Sequence, residues 1–78
     1  MTDYDAKFQS DLGEVIRSKR MEKGLSQREM AEKLGVPLVS YAYYEAGKIP
    51  LDVITLKKIA ETLGIKPSQL IDQEQFIA

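Results

Sequence analysis

Residues 26–47 contain two short helices whose boundaries are written into the chain. Ser26 stands three residues before Glu29, the spacing of a reciprocal cap: the serine hydroxyl accepts from the Glu29 amide while the glutamate side chain accepts from the serine amide. A helix therefore starts at residue 26. It stops at Gly35, directly after Leu34, because glycine enters the left-handed conformation of a helix end without steric cost. Met30, Ala31 and Leu34 share one face of this helix and are expected in the core, with Ala31 small enough to let another helix approach. A second helix is expected from about Pro37 to Ala46, closed by Gly47.

On a period of 3.6 residues the second helix is apolar on two sides. Tyr41 and Tyr44 turn inward with Val36, while Leu38, Val39, Ala42, Tyr43 and Ala46 form a separate stripe. The outer side of a soluble helix is ordinarily polar, so an apolar stripe there marks a binding surface.

The rest of the chain is helical as well. Phe8, Leu12, Val15 and Ile16 recur at helical spacing up to Gly24, and this first helix begins as early as Asp3, a plausible cap. A fourth helix is expected from Asp52 as cap to about Leu63, burying Val53, Leu56, Ile59, Ala60 and Leu63, with Gly64 as its stop. A fifth, about Pro67 to Asp72, turns Leu70 and Ile71 inward. No strand signal, internal repeat, linker or low-complexity tract is present. The expected architecture is all-α with five helices in one domain over 1–78: a core of 12–71, an N-terminal helical extension 1–11 and a short C-terminal tail 72–78.

The elements Leu12-Gly13 with Ile16 and Arg20, Gly24-Leu25-Ser26-Gln27, Glu29-Met30-Ala31, Leu34-Gly35-Val36, Glu45 with Gly47, Leu56, Ile59-Ala60 and Leu63-Gly64-Ile65 stand in register with a known pattern. From Leu12 to Ile71 the chain resembles the Cro and phage-repressor (XRE-like) type of helix-turn-helix domain. The resemblance implies a compact five-helix fold in which helices 2 and 3 form the helix-turn-helix and helix 3 enters the major groove of double-stranded DNA. It assigns base contacts to Leu38, Val39 and Tyr43, to which the outward position of Ala42 is added. It makes Gln27 a phosphate contact that also braces helix 3, and Lys48 a second contact to the DNA backbone. Arg20 and Glu45 become a structural ion pair between helix 1 and the end of helix 3. Dimer contacts are implied near and after helix 5, making Leu70, Ile71 and Phe76 candidates, although Leu70 and Ile71 equally suit the monomer core. Ser40, Arg17 and Lys19 are further candidates for backbone contacts on chemical grounds.

Three departures from the pattern bear on function. Leu38, Val39 and Ala42 stand where relatives often carry amides, hydroxyls or guanidinium groups, and none can make a bidentate bond to a purine; direct readout is expected to be weak and DNA shape to contribute. Pro37 replaces the usual serine or threonine at the start of helix 3, removing a capping side chain. Pro50 follows Gly47 one residue early, which leaves the path of that loop open.

The formal charge of −1 divides unevenly: −3 over residues 1–14, +4 over 15–66 and −2 over 67–78. Positive charge thus gathers in the body that carries the helix pair. Lys33, Lys57, Lys58 and Lys66 read as ordinary solvated charge. With no cysteine and no histidine, disulfides and the usual zinc sets are excluded, and no cofactor is expected. No apolar run is long enough to span a membrane and no signal peptide is visible, so the chain is expected in the cytoplasm.

The leading expectation is a sequence-specific, repressor-like transcriptional regulator that binds an inverted repeat as a homodimer. A 78-residue chain of this kind resembles stand-alone regulators, restriction-modification controllers or antitoxin partners. The alternative is a protein-interaction module, with an unknown partner, that uses the apolar face of helix 3. An enzyme is not expected, since no nucleophile, base and pocket converge.

Overall fold

The computed structural model describes residues 6–71. Among them are five helices and no strand: α1 (Ala6–Glu22), α2 (Gln27–Leu34), α3 (Leu38–Ala46), α4 (Val53–Leu63) and α5 (Ser68–Ile71). The expected Asp3 cap and the tail from residue 72, including Phe76, lie outside the described residues.

The local signals act as the sequence requires. Ser26 Oγ accepts from the Glu29 amide at 3.0 Å and Glu29 Oε1 accepts from the Ser26 amide at 2.8 Å. Asp52 Oδ1 caps α4 by accepting from the Thr55 amide at 2.7 Å. Gly35 closes α2 in the left-handed region, at φ 72°. One boundary differs from expectation: Pro37 is the extended N-cap of α3 and the helix starts at Leu38. With no N–H and no side-chain acceptor, Pro37 leaves the first amides of α3 without a capping side chain.

The core is built from Leu12, Val15 and Ile16 of α1, Met30 and Ala31 of α2, Tyr41 of α3, Ile59, Ala60 and Leu63 of α4, and Leu70 of α5. α1 runs through the middle, packing on α3, α4 and α5, while α2 packs on α3 and α4. Two expectations fail at helix ends. Val53 is 72% exposed: it stands in the apolar register of Leu56, Ala60 and Leu63, but it is the first residue of α4, and the buried residues of that helix lie in its second half. Ile71 is exposed beside a fully buried Leu70, because adjacent helical residues diverge by about 100° and a four-residue helix turns only one of them to the core.

α1 and α3 touch backbone to backbone. A Cβ on Gly13 would lie 2.2 Å from the Glu45 carbonyl oxygen and 2.8 Å from that of Tyr44. At the far end, Gly47 has φ 71° and abuts the α1 backbone, where a Cβ would meet Ser10 Cα at 2.7 Å. The nearby Leu51 amide donates to Oε1 of buried Gln9 at 3.1 Å. These two contacts set the path of the loop carrying Pro50. Buried Gln9 and the backbone of exposed Ser10 thereby pack against the end of α3 and the loop that follows it.

Gly13→Ala is expected to destabilise by about 3 kcal/mol or more, since neither backbone can yield. Gly35→Ala, strained in φ but facing open space, is expected to cost about 1–2 kcal/mol. Urea titrations of both variants at unchanged m-value check the order.

Candidate nucleic-acid interface

α3 is fastened to the two preceding helices through Glu45, whose side chain is only 4% exposed. Arg20 of α1 donates from Nε to Glu45 Oε2 at 2.6 Å and from Nη2 to Oε1 at 3.2 Å, and its Nη1 donates to the Leu25 carbonyl at 2.6 Å. Gln27, at the start of α2, donates from Nε2 to Glu45 Oε1 at 3.0 Å. The hydroxyl of fully buried Tyr41, one turn back along α3, donates to Oε2. The pairing of Arg20 with Glu45 is therefore a buried bridge, and the bracing expected of Gln27 is made through the same carboxylate.

Burial is the largest influence on the Glu45 carboxyl and pushes its pKa up, but the bonds from Arg20, Tyr41 and Gln27, with the charge of Arg20, outweigh it and hold the group below its ordinary 4.5. Burial, then the bond to Glu45, drives the Tyr41 hydroxyl far above its ordinary 10.0. The bond to Glu45 holds the Arg20 guanidinium above its ordinary value. The carboxylate, the guanidinium and the neutral phenol therefore persist across the neutral range.

Tyr41 was legible only as an inward residue. A buried phenol needs a hydrogen-bond partner, and the acidic residue four positions on was the available signal. Gln9 carried a comparable signal, a polar residue on the apolar face of α1.

With its inner side fixed, α3 turns outward the residues expected to meet bases. Leu38 is 37%, Val39 57% and Tyr43 44% exposed, with Ala42 half-buried between them. Glu45 is the one acid in residues 38–46, and it is buried and paired, so the outer face carries no negative charge. Ser40 is half-buried, and Lys48, exposed just past Gly47, donates from its backbone N–H to the Tyr43 carbonyl at 3.0 Å. Arg17 joins Arg20, Gln27, Ala42, Glu45 and Ala46 around an open cleft of about 300 Å³. Lys19 does not share this position: two residues along a helix rotate it by about 200° from Arg17. Of the residues expected at a dimer contact, Leu70 is fully buried in the monomer and has no surface to offer; Ile71 is exposed.

A helix-turn-helix family model matches residues 16–70, spanning all of α2, α3 and α4. The chain belongs to the helix-turn-helix family, in its Cro and phage-repressor (XRE-like) branch. It is 39% identical over 59 residues to the SPbeta prophage-derived HTH-type transcriptional regulator YonR of Bacillus subtilis, a match covering 76% of this chain and 55% of that protein. It is 32% identical over 60 residues to the cryptic phage CTXphi transcriptional repressor RstR of Vibrio cholerae, covering 77% of this chain and 54% of the repressor. The chain thus spans about half the length of these relatives. Among solved structures it resembles the restriction-modification controller protein C.AhdI of Aeromonas hydrophila, with TM-score 0.78 and 29% identity over 85% of this chain and 98% of that one. Among the described residues, no helix is long and apolar enough to cross a membrane and no cluster of His, Cys, Asp or Glu could hold a metal ion.

The depressed Glu45 pKa stabilises the fold fully above 4.5, and that contribution is lost as pH falls through the folded-state value. Tyr41→Phe removes one donor, so it is expected to cost about 1–2 kcal/mol at pH 7 and to move the acid-unfolding midpoint to higher pH. Glu45→Gln is expected to cost about 3 kcal/mol or more at pH 7 and to flatten the acid limb. Urea stability measured from pH 3 to 7 reads both effects.

Proposed function

We propose that this domain is a sequence-specific, double-stranded-DNA-binding transcriptional regulator of repressor-like kind, acting as a homodimer on an inverted repeat. The observation that carries the reading is the outer face of α3: exposed, free of acid and locked in direction by the Glu45 network. The relatives give the context, since a prophage regulator, a phage repressor and a restriction-modification controller surround the chain in sequence and fold.

In this reading Leu38, Val39, Ala42 and Tyr43 meet base edges in the major groove. Gln27, Ser40, Lys48 and Arg17 meet the phosphodiester backbone. An amide NH₂ carries two donors, so Gln27 can brace Glu45 with one and offer the other to a phosphate, beside the positive end of α2. One recognition helix covers only a few base pairs, and a twofold axis places a second about 34 Å away. Ile71 remains a candidate for the dimer contact on exposure, and Phe76 on composition.

A second reading rests on the same stripe: an apolar helix face suits a protein partner, as in an antitoxin-type complex. The two readings diverge in one experiment. Selection of bound duplexes from a random pool, with sedimentation of the complex, is expected to recover an inverted repeat bound by two copies. Tyr43→Ala and Lys48→Ala are expected to weaken binding to it, and for the unaltered chain the logarithm of the association constant is expected to fall with log salt at a slope of about −2 to −5, as for about 2–6 neutralised phosphates. No enrichment at low salt would sink the DNA reading in favour of the protein module.

A further inference from the structure

We propose that the outer face of α3 reads the C5-methyl group of pyrimidines, and so accepts 5-methylcytosine in place of thymine; this rests on the DNA-binding reading above. Thymine differs from cytosine in the major groove by two features, a methyl at C5 and an acceptor rather than a donor at C4. 5-Methylcytosine shares the methyl and keeps the donor. A reader that bonds O4, or the paired adenine through an amide, separates the two methyl-bearing bases. A reader that touches only the methyl does not.

The exposed α3 face is of the second kind. Leu38, Val39 and Ala42 offer carbon alone. Tyr43 brings the one hydroxyl among the base-facing residues, and a phenol both donates and accepts, so it suits O4 and the N4 amine equally. α3 itself carries no side-chain amide, guanidinium or ammonium group, since residues 38–46 contain none, and the nearest, Arg17 and Gln27, border the face at the cleft beside Ala42. Charge complementarity commits the face to DNA: its single helix acid is buried against Arg20, with Arg17 beside Ala42 on one side and Lys48 past the helix end. The polar contacts are thus displaced to the phosphates, which carry no sequence information.

Three selections run in parallel, at one salt concentration, test this on the full chain: a random duplex pool built with thymidine, one with deoxyuridine in its place, and one with 5-methyldeoxycytidine replacing deoxycytidine. The first is expected to yield a site with thymines in each half. The second is expected to enrich poorly, and single thymine-to-uracil changes in the recovered site to weaken binding about fourfold at each contacted methyl. The third is expected to return the same site with 5-methylcytosine·guanine pairs admitted at those thymines, where unmodified cytosine is rejected. Val39→Ser, a change at an exposed position, is expected to abolish the thymine-to-uracil difference at the base it meets. Equal affinity for thymine and uracil duplexes, or 5-methylcytosine binding no better than cytosine, overturns the inference while leaving DNA binding intact. Failure of the first pool to enrich overturns the DNA-binding reading, and this inference with it.

Discussion

Glu45 accepts hydrogen bonds from Arg20 of α1, Gln27 of α2 and Tyr41 of its own helix, and the attitude of α3 depends on that convergence. A carboxylate so deeply buried would be costly if left unpaired. Here a guanidinium neutralises it, and an amide and a phenol occupy further lone pairs. Because Tyr41 and Glu45 lie one turn apart on α3, anchoring both fixes the rotation of the helix about its own axis as well as its position. The directions of Leu38, Val39 and Tyr43 follow from that rotation.

The network in turn needs α1 and α3 to touch. Gly13 and Arg20 are seven residues apart, close to two turns, so they lie on one side of α1. The absent side chain at Gly13 lets the two backbones meet under Glu45, and the guanidinium two turns on then reaches the carboxylate. One turn earlier, Gln9 holds the Leu51 amide, and Ser10 receives Gly47. α1 thus touches the far end of α3 and the following loop through one strip of small and polar residues, while Leu12 and Ile16 face the core beside it.

Much of this was legible in the chain because it is encoded locally. Ser26, Glu29, Gly35, Asp52 and Gly64 act on their own neighbours, and a cap reads the same in any fold. The bridge from Arg20 to Glu45 was accessible only through resemblance, since its partners are 25 residues apart. Features that depend on how far one element overlaps another were not legible. Periodicity put Val53 in register with Leu56, Ala60 and Leu63 but could not show that burial begins only beyond the first turn of α4. The close approach at Gly13 left no mark on the sequence beyond a glycine inside a helix, which alone predicts only reduced helix propensity. The position of Gln9 on the apolar face of α1 was a signal, but its partner was not legible, because the Leu51 amide lies 42 residues away.

The polar and apolar duties of α3 lie on opposite sides of one helix, and that separation constrains how its surface can vary. Its inner side carries the only acid in residues 38–46, and the network holds that charge away from solvent and from any polyanion. The outer side is then free to be carbon, with cations supplied by other parts of the chain, Arg17 on α1 and Lys48 in the loop. Substitution of Leu38, Val39 or Tyr43 changes what the face presents while leaving the core intact, because these side chains contribute little to it. Changes at Tyr41, Glu45 or Arg20 instead move the whole face. In the proposed reading, base preference can therefore vary without loss of fold, but the attitude of the reading helix cannot.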